Sequence, residues 1–154
     1  MLVAYDGSTA ARAAVEAAGR MLPGRSAVVV SVWSPVTEVA GASLLALPSK
    51  LARDAAAALD SESRSQAQRL AREGAELARS AGLEARDEAA ESIGNVWSTI
   101  LAVADREDAG AVVVGSRGMS GVKSLLLGSV SEALVNHSGR PVLVVHPPEE
   151  PSAT

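Results

Sequence analysis

Four glycine and serine positions near the C-terminal end form the pattern with the clearest chemical potential. The tetrapeptide Gly115–Gly118 (GSRG) is followed, nine residues later, by Gly128 and Ser129. The apolar run 111–114 before it predicts a buried strand, and a helix is predicted from Ser129. A strand that continues into a glycine-rich loop and a helix start can bind phosphate. Glycine lets main-chain N–H groups approach an anion, and the helix start adds N–H groups without partners.

A purely structural interpretation of the same pattern stays open. Gly115 and Gly118 would then form only a turn, and Ser129 would cap a helix, because Ser129 and Glu132 have the spacing of a capping box. Capping does not exclude phosphate binding, since the same N–H groups can serve an anion. The dipeptide Lys123-Ser124 is not the end of a Walker-type loop, because the glycine spacing which that motif requires is missing.

The composition restricts the class of protein. The chain has 154 residues, which fits one domain, and its net charge is −4 with no basic run, so nucleic acid is not an expected partner. It has no cysteine, which fits a reducing compartment. No apolar stretch has membrane-spanning length, and Asp6 comes too early for a signal peptide, so we expect a cytoplasmic protein. His137 and His146 are far from any acidic cluster with the spacing of metal ligands, and no metal site is predicted.

Hydrophobic periodicity and turn residues predict alternating strands and helices. A single domain over 1–147 and a frayed tail over 148–154 are expected, with a loop over 34–49. The predicted strands cover 2–5, 27–33, 83–90, 111–114 and 141–146, and the predicted helices cover 9–22, 50–80, 96 to about 109 and 129–136, with Ser8 and Asn95 as caps.

This alternation predicts an α/β fold with one open, doubly wound parallel sheet and helices on both faces. Ligands of such sheets bind beyond the carboxyl ends of the strands, where the strand order reverses. Asp6, Trp33 and Gly115 each lie at or just past a predicted strand end, so three separate segments converge on the same edge of the sheet.

The chain resembles the universal stress protein family over nearly its whole length. The similar segments are 3–8 (VAYDGS), 115–121 (GSRGMSG), 123–132 (KSLLLGSVSE) and 141–145 (PVLVV). The resemblance implies five parallel strands in the order 3-2-1-4-5 and an adenine nucleotide alpha-hydrolase-like fold. It also implies the ATP-binding branch, which is marked by Gly-x-x-Gly, nine residues and Gly-Ser/Thr. Many members are cytoplasmic dimers linked to stress responses.

The resemblance also implies roles for individual residues. The nucleotide-binding residues it implies are Ala4, Asp6, Val32, Gly115, Ser116, Arg117, Gly118, Gly128, Ser129, Val130 and Ser131. Gly115 to Gly118 would pass beside ribose and α-phosphate, and Gly128 to Ser131 would receive the phosphates. Other interpretations stay open: an Asx turn to Ser8 for Asp6, core packing for Val32, and a solvated surface position for Arg117.

The function expected from these observations is ATP binding by a stress-response module, with Mg²⁺ carried on the phosphates. No general base is evident, so we predict no catalytic residue and at most slow hydrolysis. The apolar strand 141–146 predicts a homodimer, because pairing would cover an exposed edge. The alternatives are a dimeric interaction module without nucleotide, a binder of another adenine ligand such as cAMP, and, less favoured, a nucleotidyl transferase.

Overall fold

The computed structural model describes residues 1–36, 49–92, 94–119 and 127–147. Most of the predicted loop, Lys123 and the predicted tail lie outside these ranges. The described elements, in chain order, are β1 (Leu2–Ala4), α1 (Thr9–Met21), β2 (Ser26–Trp33), α2 (Ser49–Ser80), β3 (Glu84–Glu91), α3 (Val96–Arg106), β4 (Val112–Gly115), α4 (Ser129–His137) and β5 (Val142–Val145).

The five strands form one parallel sheet in the order β3-β2-β1-β4-β5, which confirms the predicted fold. Helices α1 and α2 cover one face, and α3 and α4 cover the other. The chain leaves β1 toward β2 and β3, and then returns to place β4 on the other side of β1. The strand order therefore reverses between β1 and β4.

The central strand shows why the sheet is buried on both faces. In β1 and the residue after it, Leu2 and Ala4 pack toward α3 and α4, whereas Val3 and Tyr5 pack toward α1 and α2. Successive side chains of a strand point to opposite faces, so a central parallel strand must be apolar throughout. All four of these residues are buried.

Small residues allow the long helix α2 to lie close to the sheet. Four alanines of α2 are almost fully buried: Ala67, Ala71, Ala75 and Ala78. At Gly74, a Cβ would lie 2.7 Å from the Tyr5 ring. A larger side chain there would push the helix away, and the chain has no phenylalanine to fill a wider gap.

One predicted helix end and one predicted helix cap were wrong. Helix α3 ends at Arg106 rather than near Ala109, because the chain reverses at Asp108, whose φ of 46° is left-handed. The N-cap of α4 is Gly128, with Ser129 as the first helical residue, and no side chain caps this end. The capping box predicted for Ser129 and Glu132 does not form. The prediction that Ser8 and Asn95 precede helices as N-caps is confirmed.

Candidate functional site

A cleft opens at the carboxyl ends of β1 and β4, where the strand order reverses. Its volume is about 560 Å³, within the range of ordinary small-molecule sites. Apolar side chains from the sheet and α3 line one part, and glycines and serines of two loops line another. The residues that line the cleft include Ala4, Tyr5, Asp6, Val32, Leu70, Gly115, Arg117, Gly118, Met119, Gly128, Ser129, Val130 and Ser131.

Ten of the eleven residues predicted for the site line this cleft, and Ser116 does not. Ser116 is fully buried, its N–H donates to the carbonyl of Val145 at 2.8 Å, and its carbonyl accepts from the N–H of Gly128 at 2.7 Å. Within the described residues its hydroxyl has no hydrogen-bond partner. Ser116 therefore connects β5 to the loop after β4 and does not present a side chain to the cleft.

The start of α4 presents main-chain donors to the cleft. The first intrahelical bond runs from the N–H of Glu132 to the carbonyl of Gly128, at 2.9 Å. The N–H groups of Ser129, Val130 and Ser131 therefore have no intrahelical partner, and they lie at the positive end of the helix dipole. Such an arrangement favours an anion.

The side chain of Ser131 is already engaged inside the protein. Its hydroxyl lies 2.9 Å from the carbonyl oxygens of both Ser116 and Gly128, and the residue is 2% exposed. A hydroxyl has one hydrogen to donate, so these two acceptors share it. Ser131 can therefore offer an anion its main-chain N–H, whereas the hydroxyl is held by the loop.

The three glycines of the pattern differ in how closely the described residues surround them. A Cβ at Gly115 would lie 2.6 Å from the main chain of Ala10, so close packing against α1 requires this glycine. A Cβ at Gly118 would lie 2.8 Å from the carboxylate of Asp6. A Cβ at Gly128 would have only ordinary contacts of 3.5 Å within the described residues, and its φ of −79° suits any residue. The described fold thus explains Gly115 and Gly118 but not Gly128.

Asp6 forms the Asx turn that was one of its two predicted roles. Its Oδ1 accepts the N–H of Ser8 at 3.0 Å, and its Oδ2 accepts the N–H of Met119 at 3.2 Å. The hydroxyl of Ser8 accepts from Ala11 at the start of α1, and it donates to the carbonyl of Arg117 at 3.4 Å. The turn after β1 is therefore bonded to the loop after β4.

Arg117 offers the cleft a positive charge. Its side chain is half-buried, and no carboxylate of the described chain forms an ion pair with it. A guanidinium can bind two phosphate oxygens at once. The prediction that Arg117 reaches a phosphate is compatible with this position and stays a prediction.

Val32 lines the cleft and also packs against the core between the sheet and α3. Trp33 is not among the described residues that line the cleft. It is 8% exposed, and the guanidinium of Arg64 lies 5.0 Å from its ring centroid. Trp33 therefore packs beneath Arg64 and does not reach the lining of the cleft.

Tyr5 contributes a polar cluster that the sequence analysis missed. Its hydroxyl donates to Glu73 at 2.6 Å, and Arg12 pairs with the same carboxylate at 2.5 Å. Burial raises the pKa of the Tyr5 phenol above its usual range, and the hydrogen bond to Glu73 raises it further. Because 68 residues separate Tyr5 from Glu73, no local pattern could reveal the pair.

In the parts of the chain that are described, no cluster of three histidine or acidic residues could hold a metal ion. His137 instead stacks on Trp97, with ring centroids 4.7 Å apart. Among the helices of the described ranges, none is both long and apolar enough to cross a membrane.

Comparisons with known proteins give relatives of the same fold. Universal stress protein MJ0577 of Methanocaldococcus jannaschii is 38% identical over 53 residues, which are 34% of this chain and 33% of that protein. The alignment thus spans about a third of that relative's length. The solved structure of MJ0577 superposes with a TM-score of 0.71 at 20% identity, covering 97% of this chain and 96% of that one.

Two further structures contain adenine nucleotides. A universal stress protein from Archaeoglobus fulgidus in complex with dAMP has a TM-score of 0.57 at 19% identity, covering 94% of both chains. A universal stress protein in complex with cAMP has a TM-score of 0.60 at 21% identity, covering 96% of both chains. At these identities the similarity establishes the fold. The model of the universal stress protein family matches residues 1–146. The chain therefore belongs to the universal stress protein family.

Proposed function

We propose that the cleft binds an adenine nucleotide, with ATP as the preferred ligand. The phosphates lie at the start of α4, the ribose beside Gly115 to Gly118, and the adenine near Ala4 and the main chain of Val32. Mg²⁺ arrives on the phosphates. The protein then acts as a cytoplasmic stress-response module with at most slow hydrolysis.

This proposal rests on the space around Gly128, where the described residues would accommodate a Cβ. Its nearest neighbours would be main-chain atoms of Ser116 and Arg117 at 3.5 Å, and Gly128 directly precedes the three N–H groups of α4 that lack an intrahelical partner. An anion bound by those groups would have to lie close to the main chain of Gly128. A bound ligand would therefore explain a glycine at position 128, which packing among the described residues does not.

This argument gives a matched pair of variants. We expect Gly128→Ala to keep the melting temperature but to bind Mg-ATP about tenfold more weakly, a loss of about 1.4 kcal/mol. Gly110→Ala is the control, because a Cβ at Gly110 meets no atom within 4 Å among the described residues. Isothermal titration calorimetry measures both variants. Equal affinity for wild-type protein and Gly128→Ala would place the phosphates elsewhere.

The same titration identifies the ligand. Structures of family members with cAMP and with dAMP keep another adenine ligand open. If the start of α4 binds a phosphate tail, ATP binds more tightly than AMP, and cAMP binds most weakly of the three, because it has a single, cyclised phosphate. Tighter binding of cAMP than of ATP would instead favour the alternative ligand.

We further propose a homodimer that pairs through β5. This strand is at the edge of the sheet, and its four residues, Val142–Val145, are apolar and half-buried. Pairing with a second β5 would cover the edge. Sedimentation equilibrium at micromolar protein tests this, and a monomer at all concentrations would contradict it. A dimer that binds no adenine nucleotide would support the alternative of an interaction module.

A further inference from the structure

We infer that Asp6 is a positioning residue, which holds the glycine loop in place instead of contacting the nucleotide. The glycine loop is defined here as residues 115–119. The inference rests on the proposed function for its effect on affinity, but the contact itself is a property of the protein without ligand. The Asp6 carboxylate would thus affect nucleotide binding only by holding the glycine loop in position.

The two oxygens of Asp6 connect two loops that are far apart in the sequence. One oxygen accepts the N–H of Ser8, two residues away, and the other accepts the N–H of Met119, 113 residues away. The hydroxyl of Ser8 makes a parallel contact to the carbonyl of Arg117. The glycine loop is thus hydrogen-bonded to the turn after β1 at two residues, Arg117 and Met119.

The glycine at position 118 fits this arrangement. A Cβ there would lie 2.8 Å from the Oδ2 of Asp6, the same oxygen that accepts from Met119. Gly7 has a left-handed φ of 82°, which lets the turn bring the carboxylate back toward Ser8. Gly7 therefore shapes the turn that carries the Asp6 carboxylate, and Gly118 leaves room for that carboxylate beside the loop.

The chemistry requires a carboxylate and not an amide. An ionised carboxylate accepts hydrogen bonds at both oxygens, whereas an asparagine accepts at one atom and donates at the other. In Asp6→Asn one of the two N–H groups, that of Ser8 or that of Met119, therefore faces an amide nitrogen. If it is that of Met119, the glycine loop keeps, of its two bonds to the turn after β1, only the contact between the Ser8 hydroxyl and the carbonyl of Arg117.

The first test uses the protein without nucleotide. In Asp6→Ala, which removes both acceptors, we expect the Met119 amide to exchange with solvent about tenfold faster, since a bond to a charged acceptor is lost. Trypsin cleavage of the Arg117–Gly118 bond should accelerate by a similar factor. Asp87→Asn is the control, because Asp87 is an exposed residue of β3. Unchanged exchange and cleavage in Asp6→Ala would overturn the inference.

A second variant covers the case in which Asp6→Ala does not fold. Gly118→Ala approaches the same carboxylate oxygen from the other side and should also accelerate exchange at Met119. If both variants fold, their double mutant should exchange no faster than the faster single variant, because each removes the same contact. Additive effects would show that Asp6 and Gly118 act independently.

The second test separates positioning from direct contact. We expect Asp6→Ala and Gly118→Ala to change the relative affinities for ATP, 2′-deoxy-ATP and 3′-deoxy-ATP in the same way, because both variants act through the glycine loop beside the ribose. A penalty that disappears with one deoxy ligand in Asp6→Ala but not in Gly118→Ala would mean that Asp6 bonds the ribose hydroxyl, and would overturn the inference. If the wild-type protein binds no nucleotide, the proposed function fails, and the exchange measurement still decides whether Asp6 holds the loop.

Discussion

The hydroxyl of Ser131 lies 2.9 Å from the main-chain oxygen of Ser116 and joins the first turn of α4 to the loop after β4. Ser116 in turn donates its N–H to Val145 of β5. Three elements at the carboxyl end of the sheet are thereby connected through two serines. The connection fixes where the free N–H groups of α4 lie relative to β4.

Removing this hydroxyl should lower stability more than removing a neighbouring one. We expect Ser131→Ala to reduce the free energy of unfolding by about 1 kcal/mol, because a buried hydrogen bond is lost. The carbonyls of Ser116 and Gly128 each keep one main-chain donor, which limits the loss. Urea denaturation monitored by circular dichroism measures the change.

Ser129→Ala is the control for this measurement. Ser129 is exposed, and no side-chain hydrogen bond caps the start of α4 in the described structure. We therefore expect its free energy of unfolding to stay within about 0.5 kcal/mol of wild type. Equal losses in the two variants would mean that the Ser131 contact does not stabilise the loop.

Arg140 directly precedes β5 and lies at the end of the sheet opposite the cleft. Its Nη1 donates to the carbonyls of Ala104 at 2.7 Å and Ala109 at 2.9 Å, and its Nη2 pairs with Asp105. These carbonyls belong to the end of α3 and to the turn that leads into β4. The guanidinium therefore gives the carbonyl of Ala109 a donor and adds a second donor to the carbonyl of Ala104, which also accepts the N–H of Ala109 at 2.9 Å.

We expect Arg140→Lys to lower the free energy of unfolding by about 2 kcal/mol, because a single ammonium cannot reproduce the planar set of donors. Arg20→Lys is the matched control, since Arg20 is exposed and lies 3.9 Å from Glu16 on the surface of α1. The melting temperatures of the two variants, measured by thermal unfolding, are compared with that of the wild-type protein. A lysine at position 140 that leaves the melting temperature unchanged would contradict the role given to the guanidinium.

The sequence predicts the elements well because their signals are local. The apolar run of β4 and the serine that caps α1 act over a few residues, and the alternation of strands and helices restricts the topology. The cleft was predicted for the same reason, since the ends of parallel strands must meet at one edge. The strand order itself came from the family resemblance.

The unpredicted features depend on residues that are distant in the sequence. Gly115 of β4 lies against Ala10 of α1, and Arg140 reaches Ala104, 36 residues away. The early end of α3 follows from a left-handed residue, Asp108, which has no glycine or proline to mark it. Such contacts are fixed by packing of the whole fold, so single-residue patterns do not report them.

The single tyrosine of the chain allows its environment to be measured directly. Burial and the hydrogen bond to Glu73 raise the pKa of Tyr5, so the phenol should stay protonated in the folded protein at pH values where a free tyrosine ionises, above about 10. Absorbance at the phenolate band, followed as the pH rises, measures the midpoint. In urea, the midpoint should return to about 10.

The sign of the effect on stability follows from this shift. Because the folded pKa is raised above the unfolded value, the stabilisation from Tyr5 is fully present below about pH 10 and is lost as the pH rises toward the folded pKa. Tyr5→Phe should therefore show a shallower fall of the free energy of unfolding above about pH 10 than wild type. Glu73→Gln keeps the burial and removes the charge, so its phenol should ionise at a lower pH than in wild type. A native phenol with an ordinary midpoint would mean that Tyr5 is neither desolvated nor bonded to Glu73, and that this side of the cleft is open to water.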